Sequence, residues 1–166
     1  MTFRTIVRYP DPRLRQPAGR VVAFDAELRA LAGVLSQTLR AVSGIGITAP
    51  HVGVPLRLVV LHMPGESTPR IHANPRIVWA SDELRRQTEG SISMPGVTEE
   101  VERPARVRVA YQDLDGNEAE EEADGLLAAC HQHEIDQLDG IFWLERLSRL
   151  RRDRTIKRYQ KLKRTG

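Results

Sequence analysis

The stretch Asp124–Gly140, DGLLAACHQHEIDQLDG, constrains the fold most, because it pairs the spacing of a helix with titratable groups on the apolar face. Leu126, Leu127, Cys130, His133, Glu134 and Gln137 recur at helical spacing, and Gly140 ends the run. Burying an unpaired Glu134 is costly, so this face requires a polar cavity and not a fully apolar core. A His-Glu-x-x-His run would set two imidazoles one turn apart, able to grip one zinc or iron, with the glutamate between them as acid and base. Here the last position of that run is Gln137, on the same face as His133.

Around this helix the pattern predicts an α+β domain. Leu28, Leu31, Leu35, Leu39 and Val42 form an apolar stripe behind Asp25, a predicted N-cap, and the helix is expected to stop at Gly44. The segment GIGITAPHVGV reads as extended chain whose backbone lies open to close approach. LRLVVLHM, RIHANPRIVWA and ARVRVAYQDLDGNEAEEE read as strands, the last folding back at Asp115-Gly116. The expected architecture is a central helix packed into antiparallel or mixed sheets.

The 166 residues contain no repeat and fit one domain, residues 1–166, with 40% apolar residues to build its core. No run has the length of a signal segment or the roughly 18 apolar residues of a membrane span, so a cytoplasmic location without membrane contact is expected. A lone Cys130 allows no internal disulfide and no multi-cysteine zinc site. The net charge is +3, but residues 112–124 carry seven acids and no base, while residues 146–164 carry ten bases and one acid. That basic stretch, with Leu147, Leu150 and Ile156 among its charges, is expected to form a final helix able to touch RNA.

Three segments in order, GIGITAPH (44–51), EGSIS (89–93) and QHEIDQLDG (132–140), resemble the bacterial peptide deformylases, which remove the formyl group from N-formylmethionyl chains. The family pattern is Gly-x-Gly-x-Ala-Ala-x-Gln, then Glu-Gly-Cys-Leu-Ser, then Gln-His-Glu-x-Asp-His-Leu-x-Gly. YPDPRLRQPA, EADGLLA and the basic tail are also similar, so the resemblance covers nearly the whole chain. It implies a deformylase-like fold, an N-formylated peptide or nascent chain as partner, a monomer, and a ribosome contact through the basic helix.

The departures from that pattern fall among the metal ligands. The family's divalent metal, Fe2+, Zn2+ or Ni2+, is held by the cysteine and the two histidines, and the matching positions are Ser91, His133 and Gln137. A neutral hydroxyl and an amide carbonyl are poor substitutes for a thiolate and an imidazole, so little or no bound metal is expected. The resemblance gives Glu134 the role of general acid and base, and the Ile92 backbone N–H that of oxyanion donor. His51 takes the place of the glutamine that also donates to the oxyanion. Gly44, Ile45 and Gly46 would pair with the substrate backbone, and Ile45 with Cys130 would line the methionine pocket. Glu89 and Arg103 are expected to pair beside the site. Three outcomes stay open: a weakened metallohydrolase, a non-catalytic binder of formyl-peptide or ribosome, and metal-free hydrolysis by Ser91 hydrogen-bonded to His133.

Overall fold

The computed structural model describes residues 4–165, so residues 1–3 and 166 of the expected 1–166 domain lie outside it. The first helix, α1 (Ala26–Ala41), forms where the leucine stripe predicts, and the Asp25 side chain accepts from Leu28 N–H at 3.0 Å. It ends earlier than expected. Val42 is the cap, and Ser43, not Gly44, adopts the left-handed conformation (φ 53°) that turns the chain. Gly44 is needed for space instead, because a Cβ there would lie 2.9 Å from both Ile92 Cγ2 and Leu39 Cδ1.

Strands β1 (Gly46–Thr48), β2 (Leu58–Leu61), β3 (Arg70–Ala80), β6 (Arg106–Gln112) and β7 (Glu118–Asp124) form one sheet in the order β1-β2-β3-β6-β7, every neighbour antiparallel. β2 is buried along its whole length, as a run of four apolar residues dictates. β3 breaks register after Ala73, where Asn74 turns left-handed and its side chain bonds the backbone of Val21. The β6–β7 turn is the one read at Asp115-Gly116, with Gly116 at φ +86°. A second sheet holds only β4 (Leu84–Ser91) and β5 (Met94–Pro104), joined by a tight turn at Ile92-Ser93.

The central helix α2 (Gly125–Leu138) packs against both sheets. Its Ala128, His131, Ile135 and Leu138, spaced by three and four, are all buried, and Ala128 and Ile135 meet Val107 and Val109. The basic helix runs Arg149–Thr165 (α3), not from residue 146: a 3-10 turn, Trp143–Arg146, precedes it. Thr155 and Tyr159 give α3 its buried face, and Leu150 is 67% exposed. Two larger apolar cores result. One joins α1 to β1 and β2; the other gathers Val7, Leu14, Met94, Val97, Val101, Phe142, Trp143, Leu144, Leu147 and Tyr159.

Candidate functional site

Between the two sheets, at the inner face of α2, lies a groove of about 470 Å³. Gly44, Ile45, Gly46, His51, Ser91, Ile92, Cys130, His133 and Glu134 all line it. Four segments therefore bring nine of the ten singled-out residues together: the end of α1 running into β1, the 3-10 turn Ala49–Val52 that carries His51, the β4–β5 turn, and α2. Gln137 is the exception. It is 2% exposed, its Nε2 donates to the Leu14 carbonyl at 2.7 Å, and it is not among the groove residues.

His133 is oriented from behind. Its Nδ1–H donates to Glu89 Oε1 at 2.9 Å, leaving Nε2 as its other polar atom. Arg103 grips the same Glu89 with both arms of its guanidinium, at 2.6 and 2.9 Å, as the sequence led us to expect. Arg103 also donates to Asp136 at 2.9 Å, and Arg146 closes on Asp136 with bonds of 2.8 and 2.7 Å. A charged chain, His133–Glu89–Arg103–Asp136–Arg146, thus ties the small sheet to α2 and to the turn before α3. Burial alone would raise Glu89, but the bonds from His133 and Arg103 bring it below the usual carboxylate range. Burial would lower His133, but the Glu134 charge and the Glu89 bond hold it above the ordinary imidazole value.

The geometry fixes the tautomer of His51. Thr48 N–H donates to its Nδ1 at 2.9 Å, so the ring proton sits on Nε2, which is buried with no partner. Burial, then the neighbouring His133, pushes its pKa down to about 3, so the ring is neutral at ordinary pH. Glu134 is also buried with an unpartnered atom, Oε1, and burial holds it above the usual carboxylate range. Two polar atoms at the groove therefore await a partner, which is a costly arrangement for an unliganded core. Ser91 Oγ accepts from Ser93 N–H at 3.1 Å, and the partner that holds His133 is Glu89, not Ser91. Burial, with the charges of Glu134 and Glu89, pushes the Cys130 thiol up to about 12, so it is held protonated at neutral pH.

Gly46 makes room for Glu134. A Cβ at Gly46 would collide with Glu134 Oε2 and lie 2.9 Å from Leu61 Cδ2, whereas a Cβ at Gly33 on α1 would meet nothing within 4 Å. Gly46→Ala should lower the unfolding free energy by about 1–3 kcal/mol. Gly33→Ala should raise it by roughly 0.5–1 kcal/mol. Urea unfolding of both variants checks the pair, and equal effects would contradict the packing described.

Sequence reasoning overlooked two features. Asp136 and Arg146 extend the ionic chain: Asp136 matches the aspartate of the family pattern, but nothing in the sequence marks it as a partner of Arg103, and no local pattern marks Arg146. His72, Glu121 and His131 also converge away from the groove; the only local hint was a histidine at 131 beside the segment already singled out.

The polypeptide deformylase family model matches residues 3–153. A protein of Brucella melitensis biotype 1 described as peptide deformylase-like is 65% identical over 164 residues, which cover 99% of this chain and 100% of that one. A peptide deformylase from Legionella pneumophila has a similar structure, with a TM-score of 0.93 at 35% identity over 99% of this chain and 97% of that chain. The peptide deformylase of Ehrlichia chaffeensis, solved in complex with actinonin, gives 0.92 at 37% identity over 99% of each chain.

Proposed function

The chain belongs to the polypeptide deformylase family, and on that premise we propose that its groove binds N-formylated peptides while hydrolysis of the formyl group is weakened or lost. The observation that carries the reading is the pair of buried, unpartnered atoms at the groove, His51 Nε2 and Glu134 Oε1. A formamide supplies what they lack. Its carbonyl oxygen accepts from His51 Nε2–H, and its N–H donates to the Glu134 carboxyl group. β1 is an edge strand, so the backbone beside Gly44, Ile45 and Gly46 can take an extended peptide as an added strand. Ile92, at the β4–β5 turn that lines the groove, would supply its backbone N–H as a further donor, and Cys130 with Ile45 would offer an apolar wall to the first side chain.

The residues at the family's metal-ligand positions do not fit its divalent ion. His133 is a good ligand, but the Ser91 hydroxyl is neutral and already accepts a backbone bond, and the Gln137 amide is tied to Leu14. Among the described residues, the His, Cys, Asp and Glu side chains that converge closely enough to hold an ion lie elsewhere. The binding reading therefore involves no metal step. No helix among the described residues is long and apolar enough to cross a membrane. The family resemblance supports a cytoplasmic monomer that meets nascent chains. Exposed Arg149, Arg154, Lys157, Lys161 and Lys163 on α3 suit a salt-dependent contact with ribosomal RNA.

Calorimetric titration with formyl-Met and acetyl-Met peptides, beside a formate-release assay with added iron, nickel, cobalt or zinc, tests the reading. Saturable binding of the formyl peptide is expected without formate release. His51→Ala should weaken binding about tenfold, the value of one hydrogen bond of ~1.4 kcal/mol. Metal-dependent turnover that disappears in Glu134→Ala would show a working hydrolase instead. Absence of binding would remove the groove from consideration.

A further inference from the structure

Away from the groove, His72 on β3, Glu121 on β7 and His131 on α2 bring one donor atom each to within 4.8 Å of one another. We infer that these three side chains form a binding site for a divalent cation of the zinc class. Both imidazoles aim Nε2 at the same oxygen: His131 Nε2 lies 2.7 Å from Glu121 Oε1, and His72 Nε2 lies 3.5 Å from it. Donors about 2.0–2.2 Å from a tetrahedral zinc are roughly 3.3–3.6 Å apart, so small side-chain shifts admit the ion.

The surroundings hold this set in place. The two rings are parallel within 5° at 5.4 Å, and Tyr111 stacks on the outer face of His72 at 3.7 Å. Arg70 holds the other carboxylate oxygen of Glu121 at 2.5 Å and is itself gripped by Glu66 at 2.7 and 3.1 Å. That clamp presents Oε1 to both imidazoles, as groups behind metal ligands commonly do. Glu121 alternates with outward-facing Glu120 and Glu122, so only one carboxylate of the acidic strand enters the cluster.

A plain hydrogen-bonded trio does not account for His72. Its side chain is 4% exposed, its Nδ1 has no partner, and its Nε2 makes no bond shorter than the 3.5 Å approach to Glu121. An imidazole buried so completely is costly when its Nε2 has no close polar partner, and a cation would supply that nitrogen with one while Nδ1 keeps the ring proton. Two imidazoles and one carboxylate suit zinc, cobalt or nickel better than calcium or magnesium, which prefer all-oxygen sets. The fourth position is left for water, because Glu121 keeps 16% of its side chain exposed.

The test is titration of the chelator-treated full chain with Zn2+ and Co2+, read by chelator competition and by the visible absorption of Co2+. One equivalent should bind with the intense visible bands of low-coordinate, non-octahedral Co2+, and Mg2+ should not compete. His131→Leu should weaken binding more than ~100-fold, beyond the 10 to 100-fold typical of losing a group behind a ligand. Glu121→Gln keeps the shape and should weaken it at least tenfold, with circular dichroism confirming that the variant folds. His133→Ala, in the groove, should leave affinity unchanged. Wild-type affinity in Glu121→Gln and His72→Leu would overturn the site, as would loss in His133→Ala alone or no binding by the wild type.

Discussion

Replacing Arg103 by leucine is expected to lower the unfolding free energy by about 3–5 kcal/mol, because it removes the buried guanidinium that pairs with both carboxylates, leaving Glu89 only His133 and Asp136 only the half-exposed Arg146. Arg103 is 6% exposed and joins β5 to β4 through Glu89 and to α2 through Asp136. Its loss therefore loosens the small sheet from the helix that carries His133. Arg103→Lys should fall between wild type and leucine, since an ammonium keeps the charge but cannot grip Glu89 with two parallel bonds. Urea midpoints at pH 7 decide the matter: a leucine variant within ~1 kcal/mol of wild type would mean that the chain contributes little.

The second large effect is with acid. His51 and His72 are held neutral by burial, with pKa values of about 3 and about 4. In the unfolded chain both take up protons near pH 6.5. The unfolded state therefore binds more protons below that pH, and stability falls as pH drops from 6.5 toward the folded values. Between pH 7 and 4.5 each histidine should cost about 2 kcal/mol. Glu134 and His133, both raised in the folded protein, act in the opposite direction, because their folded forms bind more protons than the unfolded chain. The prediction is thus read from variants. His51→Gln and His72→Leu should each lose about 2 kcal/mol less than wild type between those pH values. Parallel wild-type and variant profiles would show that the rings are not held neutral.

The parts of the fold that were legible carry their own local signal. The stripe behind Asp25, the Asp115-Gly116 turn and the helical spacing after Asp124 each specify one element from neighbouring residues. The β4–β5 hairpin escaped notice for a physical reason. Most of its side chains face solvent, with Glu89 the only one in β4 classed as buried, so no alternation of apolar and polar residues marks it. Its turn, Ile92-Ser93, has no glycine or asparagine to announce it. For the groove, resemblance located the side chains but not their partners. Gln137 finds Leu14, distant in sequence, and Thr48 rather than any residue near α2 sets the His51 proton. His72, Glu121 and His131 come from three elements, so only the assembled sheet brings them together.

The second apolar core bears on the synthesis of the chain. Val7 and Leu14 are translated long before most of their partners there, Phe142, Trp143, Leu144, Leu147 and Tyr159. At ribosomal speeds the early residues wait on the order of ten seconds for those partners. During that interval the α1 core can close, but Leu14 and Val7 stay without their cover, exposed to chaperones or to other growing chains. The turn Trp143–Arg146 and α3 thus complete this core, and a ribosome stalled before residue 142 would hold it half sealed.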